Sequence, residues 1–449
     1  MLAITLCVGF FFAVAIFSPV HAAGMWLIIM ITHGLLVESV GETAAHLPLY
    51  VGVTVSLCIL ARGKWSGVQP SVLMLFGALI FVMGVASIAG IDVGSSLAAM
   101  SLYAKAFMLS LLLAGCIKSN KEVHVITLYC LGGMVCGALA ALYQHYTGNY
   151  SVNVYDVQRA AGLRGDPNDT AMLLVAGIPL AIYWMLRCNL SFLGGLFAGS
   201  IVALVLGIAL TGSRGGFLTL LFISLLIYVK RPTLLATISG LVLASILLTF
   251  APQAYWSRME TLVSGKELKT SGSMQHRSEL QRKGLSILVE HPILGVGPDN
   301  FGEAFLGAGR SGKVSVATGR GRNNTEPGLV AHNMYLEFFV ENGLFGGLLL
   351  LAIFYRSMRA LMRYDQKDSN KANNFGIGNA LALALFGMLF SGLFLSQGKN
   401  SVLWFLVGIG FATGQLGNTA FRATPHRSSS QEHIPETIGV ACVPKQYCI

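Results

Sequence analysis

Residues 332–355 read HNMYLEFFVENGLFGGLLLLAIFY. The run from Met334 to Tyr355 is apolar and long enough to cross a bilayer, for which about 20 residues are needed. His332-Asn333 stands immediately before it, and Gly343-Leu344-Phe345-Gly346 follows Asn333 after a gap of nine residues. The preceding stretch, 251–331, is mostly polar and Gly-rich. A histidine at such a junction has water on one side and lipid on the other. The position suits proton transfer on a molecule with a polar reactive end and a hydrocarbon tail.

The rest of the chain is as greasy as this run. It is 54% hydrophobic and 11% charged, against about 25% charged in soluble domains, so it could not cover its own surface in water. Apolar runs recur at 2–17, 24–38, 47–60, 69–90, 97–117, 123–144, 170–186, 191–211, 215–229, 232–250, 334–355, 376–396 and 401–416. Some are short. The expectation is an all-α polytopic membrane protein of about 12 transmembrane helices. No basic segment precedes Leu2, so the first run reads as a retained segment. The eight cysteines lie mostly in apolar runs and form no Cys-x-x-Cys, which suggests neither a disulfide framework nor a zinc site.

The formal net charge of +10 is read as topology and not as a nucleic-acid partner. Basic residues cluster in short loops: Arg62 and Lys64, Lys118 and Lys121, Arg187, Lys230 with Arg231. The densest set is Arg356, Arg359, Arg363, Lys367 and Lys371. The positive-inside rule makes these loops cytoplasmic. Loops 145–169, 211–214, 251–333 and 397–400 then share the opposite face. Residues 1–38 fit only if two short runs count as one crossing or the N-terminus lies outside.

One transmembrane domain, 1–417, is expected, carrying large loops at 145–169 and 251–333. A disordered cytoplasmic tail is expected over 418–449. Within the second loop, RSELQRKGLSILVE (277–290) reads as an amphipathic helix lying along the membrane surface, ended by His291-Pro292 and Gly-rich turns.

Charges near a membrane mark function by default. Arg214, in TGSRGG (211–216), occupies a turn of few residues between two apolar runs. Arg159 and Arg164 lie in RAAGLRGDPND (159–169), Arg258 and Arg277 in the large loop, and Lys105 within the run 97–117. The five arginines fall on the face of His332 in the charge-derived topology. Several guanidiniums on one face suit a diphosphate, because Arg binds phosphate oxygens through paired hydrogen bonds and stays ionised. The bland readings are a solvated or headgroup-contacting role for each loop arginine, and a helix cap for His332. Glu337 and Glu341, one helical turn apart, read as structural, and His291 as a turn residue.

TGSRGG at the end of one run, HPILGVGPDNF (291–301) in the large loop, and HN-x9-GLFG opening the next run resemble the O-antigen ligase and polymerase superfamily. DPNDTA (166–171) after RAAGLRG adds to the likeness, which covers roughly 150–400. The resemblance implies a bacterial inner-membrane protein with a helical glycosyltransferase fold of the C type, requiring neither a nucleotide sugar nor a metal or other cofactor. It implies glycan transfer from undecaprenyl diphosphate at the periplasmic face to lipid A–core, to a growing glycan or to a protein. It makes His332 the essential histidine, with Asn333, Gly343 and Gly346 supporting it, and Arg214 an essential arginine beside the diphosphate. The family's loop arginine is matched literally by Arg258 (RMETL, 258–262) and by distance ahead of HPILGVG by Arg277.

The implied chemistry is attack by an acceptor hydroxyl on the anomeric carbon, with His332 as base and arginines taking the developing diphosphate charge. A single displacement would invert that carbon. Nothing in the sequence separates ligase from polymerase. A transporter or flippase of lipid-linked sugars shares the spans and charges, but usually has two matched halves, which are absent from this sequence. A scaffold of a polysaccharide assembly complex is the remaining reading.

Overall fold

The computed structural model describes residues 2–40, 47–61, 67–148, 152–154, 157–163, 165–188, 191–230, 240, 249, 256, 273–307, 329–368 and 375–422. Nine helices lead the chain: α1 (Leu2–Phe17), α2 (Pro19–Val40), α3 (Leu47–Ala61), α4 (Pro70–Ile88), α5 (Val93–Cys116), α6 (Asn120–Thr147), α7 (Pro167–Cys188), α8 (Phe192–Thr211) and α9 (Arg214–Lys230). Then come α10 (Ser273–Glu290), α11 (Phe301–Leu306), α12 (Met334–Asp368), α13 (Ile377–Ser391) and α14 (Ser401–Arg422). Among the described residues, six helices are long and apolar enough to cross a membrane. Apart from 240 and 249, the expected run at 232–250 lies outside the described residues, as does the tail beyond Arg422. Helix α14 continues past the expected tail boundary at Asn418.

The helices pack as a bundle with its core at Trp404 of α14. Its ring meets Phe107 of α5 at 4.5 Å, Phe354 of α12 at 5.6 Å and Phe76 of α4 at 6.0 Å between centroids. Its indole N–H donates to the Gly398 carbonyl at 2.8 Å or less, namely 2.7 Å, so the apolar ring is buried without an orphaned donor. Elsewhere α7 lies between α8 and α13, and α6 between α2 and α8.

The helix ends sort by charge. At one end Arg356 donates to Ser71 (2.8 Å), Tyr364 to Asn120 (2.7 Å) and Lys230 to Asn379 (2.6 Å). These contacts bring the loops grouped as basic to one side. The loops of the other group meet at the far end, where Ile91 bonds Val296 and Ala160 bonds Leu210. Asp92 caps α5 there, accepting from the amides of Gly94 (2.9 Å) and Ser95 (3.3 Å) and from the Ser95 hydroxyl (2.7 Å).

Three local readings change. The loop 145–169 is not wholly irregular: β1 (Val152–Val154) and β2 (Val157–Arg159) pair antiparallel, Val152 opposite Arg159. Helix α10 ends at Glu290 as expected, and part of its apolar face packs on protein. Leu280 and Ile287 are buried with Val296, Phe301, Ala331 and Val340, each such side chain contributing about 1.5–3 kcal/mol. It is therefore seated on α12, leaving Leu285 and Val289 exposed.

The third change concerns the run that opened the reading. Helix α12 is interrupted at Gly343, whose φ of 65° and ψ of −174° are not helical. The loop 291–297 fills the break: Leu344 N–H donates to Pro292 O (2.8 Å), Val296 N–H to Val340 O (3.0 Å) and Gly297 N–H to Glu341 O (2.9 Å). A Cβ on Gly343 would collide with the Ile293 carbonyl, and one on Gly295 would lie 2.6 Å from the Glu341 oxygen. The two glycines let two backbones touch, and the freed helical groups find partners. The portion after the break, 344–364, spans about 31 Å at 1.5 Å per residue, enough for a hydrocarbon core of about 30 Å. The short portion before it carries the candidate base.

Candidate active site

The short helix begins at a tight cap. Asn333 Oδ1 accepts the amides of Tyr335 and Leu336, both at 3.1 Å, the pattern that satisfies orphaned donors of a first turn. His332, one residue earlier, has φ of 49°, a left-handed conformation costing a non-glycine residue on the order of 1–2 kcal/mol. Among the described residues only Asp299 shares this trait. Strain of this kind persists where the surroundings over-determine it, and it concentrates at functional sites. Here Asn333 holds one side. On the other, Ala331 N–H donates to Glu337 Oε2 at 3.0 Å. The half-buried imidazole thus sits at a helix N-terminus, where the dipole favours its neutral form.

Arg214 heads α9. Gly212 closes α8 in the left-handed region, and Ser213 caps α9 by accepting the Gly216 amide at 3.2 Å. The turn is locked to the RAAG and DPND segments. Arg159, 9% exposed, donates from Nε to Thr211 O (2.8 Å) and from Nη2 to Asn168 Oδ1 (3.0 Å), and the Ser213 hydroxyl donates to that same oxygen (3.0 Å). Gln144 ties Ala161 and Gly162 to α6. Asp166 caps α7 through the amides of Asn168 (2.7 Å) and Asp169 (3.0 Å).

Arg277, on α10, reaches this turn from the large loop. Burial lowers its pKa, the charge of Arg214 lowers it further, and Asp166 acts in the opposite sense. The charges of Arg214 and Asp166 are thus felt at Arg277, and guanidiniums grouped in this way favour an anion with several oxygens. Both arginines stay ionised at any physiological pH.

A segment read from the sequence only as the loop 397–400 joins the two halves. Residues 392–400 (GLFLSQGKN), between α13 and α14, form a strap across the bundle end. Gly392 O accepts Met334 N–H at 2.8 Å. Phe394 packs on the backbone beside Arg214, its Cβ only 3.3 Å from where a Cβ on Gly215 would lie. Ser396 donates to Glu337, Gln397 to Asp169, and Lys399 to Asp299. Burial works against the charge on Lys399, but Glu341, Asp299 and Glu337 outweigh it and raise its pKa. Asp299 belongs to the loop that fills the α12 break. Its neighbour Asn300 ties that loop to α5 through Ser96 Oγ (3.1 Å). Residues 392–396 fall within the apolar run 376–396, so hydropathy marked only 397–400 as a loop.

The structure therefore gathers His332, Asn333, Arg214 and Arg277 at one end of the bundle. Gly343 shapes the break, and Gly346 lies where α12 meets Val82 of α4. Arg159, grouped above with the arginines for a diphosphate, gives its Nε to Thr211 and its Nη2 to Asn168 and so supports the Arg214 turn. Lys105 is placed apart. Tyr103 faces Lys399 at 6.0 Å, and a step of two residues turns about 200° around a helix, so Lys105 points away from the strap. Arg164 and Arg258 lie outside the described residues. Glu341 is buried and Glu337 half-buried beneath the cap. Among the described residues no three His, Cys, Asp or Glu side chains are grouped to hold a metal ion.

A multi-pass membrane protein with an imidazole at a helix N-terminus and two arginines at the same end is the class this geometry defines. Residues 199–351, which include Arg214, Arg277 and His332, match the family described as O-Antigen ligase. No curated protein matches the chain.

Proposed function

We propose that the protein is an O-antigen ligase-like, inverting glycosyltransferase. It takes a glycan from undecaprenyl diphosphate and passes it to a hydroxyl of lipid A–core or another glycan. The reading places the bundle end that carries His332 at the periplasmic face of the bacterial inner membrane. The observation that carries it is the gathering of His332 with Arg214 and Arg277 around one strap. The family match supports the class of reaction.

In this mechanism the neutral His332 imidazole removes the proton of the acceptor hydroxyl as oxygen attacks the anomeric carbon. A positioned base contributes about 10²–10⁴-fold, and an imidazole with an ordinary pKa near 6.5 suits neutral pH. The bond from that carbon to the diphosphate breaks, and Arg214 and Arg277 stabilise the charge gathering on the leaving oxygens. The same residues serve a polymerase equally well, because only the acceptor differs. The α12 break, a feature that transporters use to line a cavity, is filled here by loop backbone, which weighs against a flippase.

Purified protein in liposomes, given undecaprenyl-diphosphate glycan extracted from its source strain, tests the proposal. Transfer to lipid A–core supports ligation, and transfer to a second glycan supports polymerisation. Absence of transfer to either, with the donor intact, overturns the glycosyltransferase reading.

A further inference from the structure

One carboxylate oxygen serves both halves of the site. Glu337 lies in the first turn of α12, and its Oε2 accepts two hydrogen bonds: Ala331 N–H at 3.0 Å and the Ser396 hydroxyl. The first fixes the residue before His332, so the strained histidine backbone is clamped between Glu337 and the Asn333 cap. The second fixes the strap two residues beyond Phe394, the side chain that packs on Gly215 beside Arg214. The resemblance to a capping box is partial. There a glutamate reaches back to the cap residue's own amide, whereas Glu337 reaches past Asn333 and past His332. Its side chain thereby spans the candidate base.

Resting on the glycosyl-transfer reading above, we propose that Glu337 is a positioning residue, setting the separation of the His332 imidazole from the Arg214 guanidinium by tying Ala331 and Ser396 to one oxygen. Glu337 touches no reacting atom in this account. It acts through two tethers, and its loss lets the histidine backbone relax out of the left-handed region while the strap shifts. A displacement of about 1 Å at a reacting group costs about 10²-fold in rate.

The tethers need an acceptor oxygen and not a charge, which separates positioning from proton transfer. In Glu337→Gln the amide oxygen can accept the same two bonds. In Glu337→Ala neither is possible. In the liposome assay with undecaprenyl-diphosphate glycan, Glu337→Ala is expected to lower kcat by about 10–100-fold and leave the donor KM within about threefold. Glu337→Gln is expected to stay within about fivefold of the unaltered protein, and Ser396→Ala to fall between them. The double variant Glu337→Ala/Ser396→Ala should be no slower than Glu337→Ala, because both remove the same tether.

Equal loss in Glu337→Gln and Glu337→Ala would overturn the positioning role in favour of a charge or proton role. An unaffected Glu337→Ala also overturns it. Where Glu337→Ala fails to purify as a monodisperse protein, the other two variants decide. A near-normal Glu337→Gln with a slowed Ser396→Ala supports the tether, and an inactive Glu337→Gln or an unaffected Ser396→Ala overturns it. Failure of the underlying reading looks different: the unaltered protein then transfers to neither acceptor, and His332→Ala matches it.

Discussion

The amide of Leu344 donates to the carbonyl of Pro292 across 2.8 Å, at the point where α12 breaks. This bond joins a membrane span to a loop that arrives from the polar stretch ahead of it. With the bonds of Val296 to Val340 and Gly297 to Glu341, it ties the loop after α10 to both sides of the break as one unit. Gly343→Ala should break that unit, since alanine disfavours the φ of 65° and its Cβ would strike the Ile293 carbonyl. The expected outcome is a melting temperature lowered by several degrees in detergent and transfer lowered on the order of tenfold or more.

His332→Ala and His332→Gly should both abolish transfer, by about 10²–10⁴-fold, without loss of expression or insertion. They should differ in stability. Glycine adopts the left-handed region freely, so His332→Gly is expected to melt above His332→Ala. Equal melting temperatures in a differential scan would show that the backbone at 332 carries no strain.

Arg159 and Arg277 should separate cleanly. Arg159→Met leaves the Thr211 carbonyl and Asn168 short of donors, a cost of about 1–3 kcal/mol. A lower melting temperature with an unchanged donor KM is expected. Arg277→Lys keeps the charge but loses the planar fork, and transfer should fall about 10–100-fold at unchanged stability. Reversal of these two patterns would exchange their assigned roles.

Stability in acid should depend on Asp92. The Ser95 hydroxyl, followed by the Ser95 amide, holds its carboxyl below the usual range, against a small opposing effect of burial and with further help from the Gly94 amide. A folded pKa below the unfolded one adds stability that is present above about pH 4 and lost as pH falls through the folded value. Asp92→Asn can still cap α5 but cannot titrate there. Its melting temperature should therefore decline less than that of the unaltered protein between pH 5 and pH 3.

Much of this was legible in the residues themselves. The basic loops marked one end of the bundle because lysine and arginine are sorted during insertion. His332 marked a helix start, because it stands where a polar loop meets a long apolar run. RSELQRKGLSILVE showed its helical period. What was hidden depends on contacts between distant segments. Nothing in MYLEFFVENGLFGG says that a loop will enter at Gly343, because hydropathy reads the run as continuous. Arg159 resembles any loop arginine until Thr211 and Asn168 are seen beside it. Glu337 was read as structural, and its tie to Ser396 joins residues 59 apart.

The strap between α13 and α14 also bears on how the molecule is made. Helix α12 leaves the ribosome before Gly392 and Ser396 exist, so the histidine's lead-in is synthesised without two of its anchors. A chain arrested after Tyr364 would be firmly lodged in the bilayer yet unfinished at its working end. Completion waits for the hairpin of α13 and α14 to insert, so the site proposed above is assembled only once that hairpin is in place.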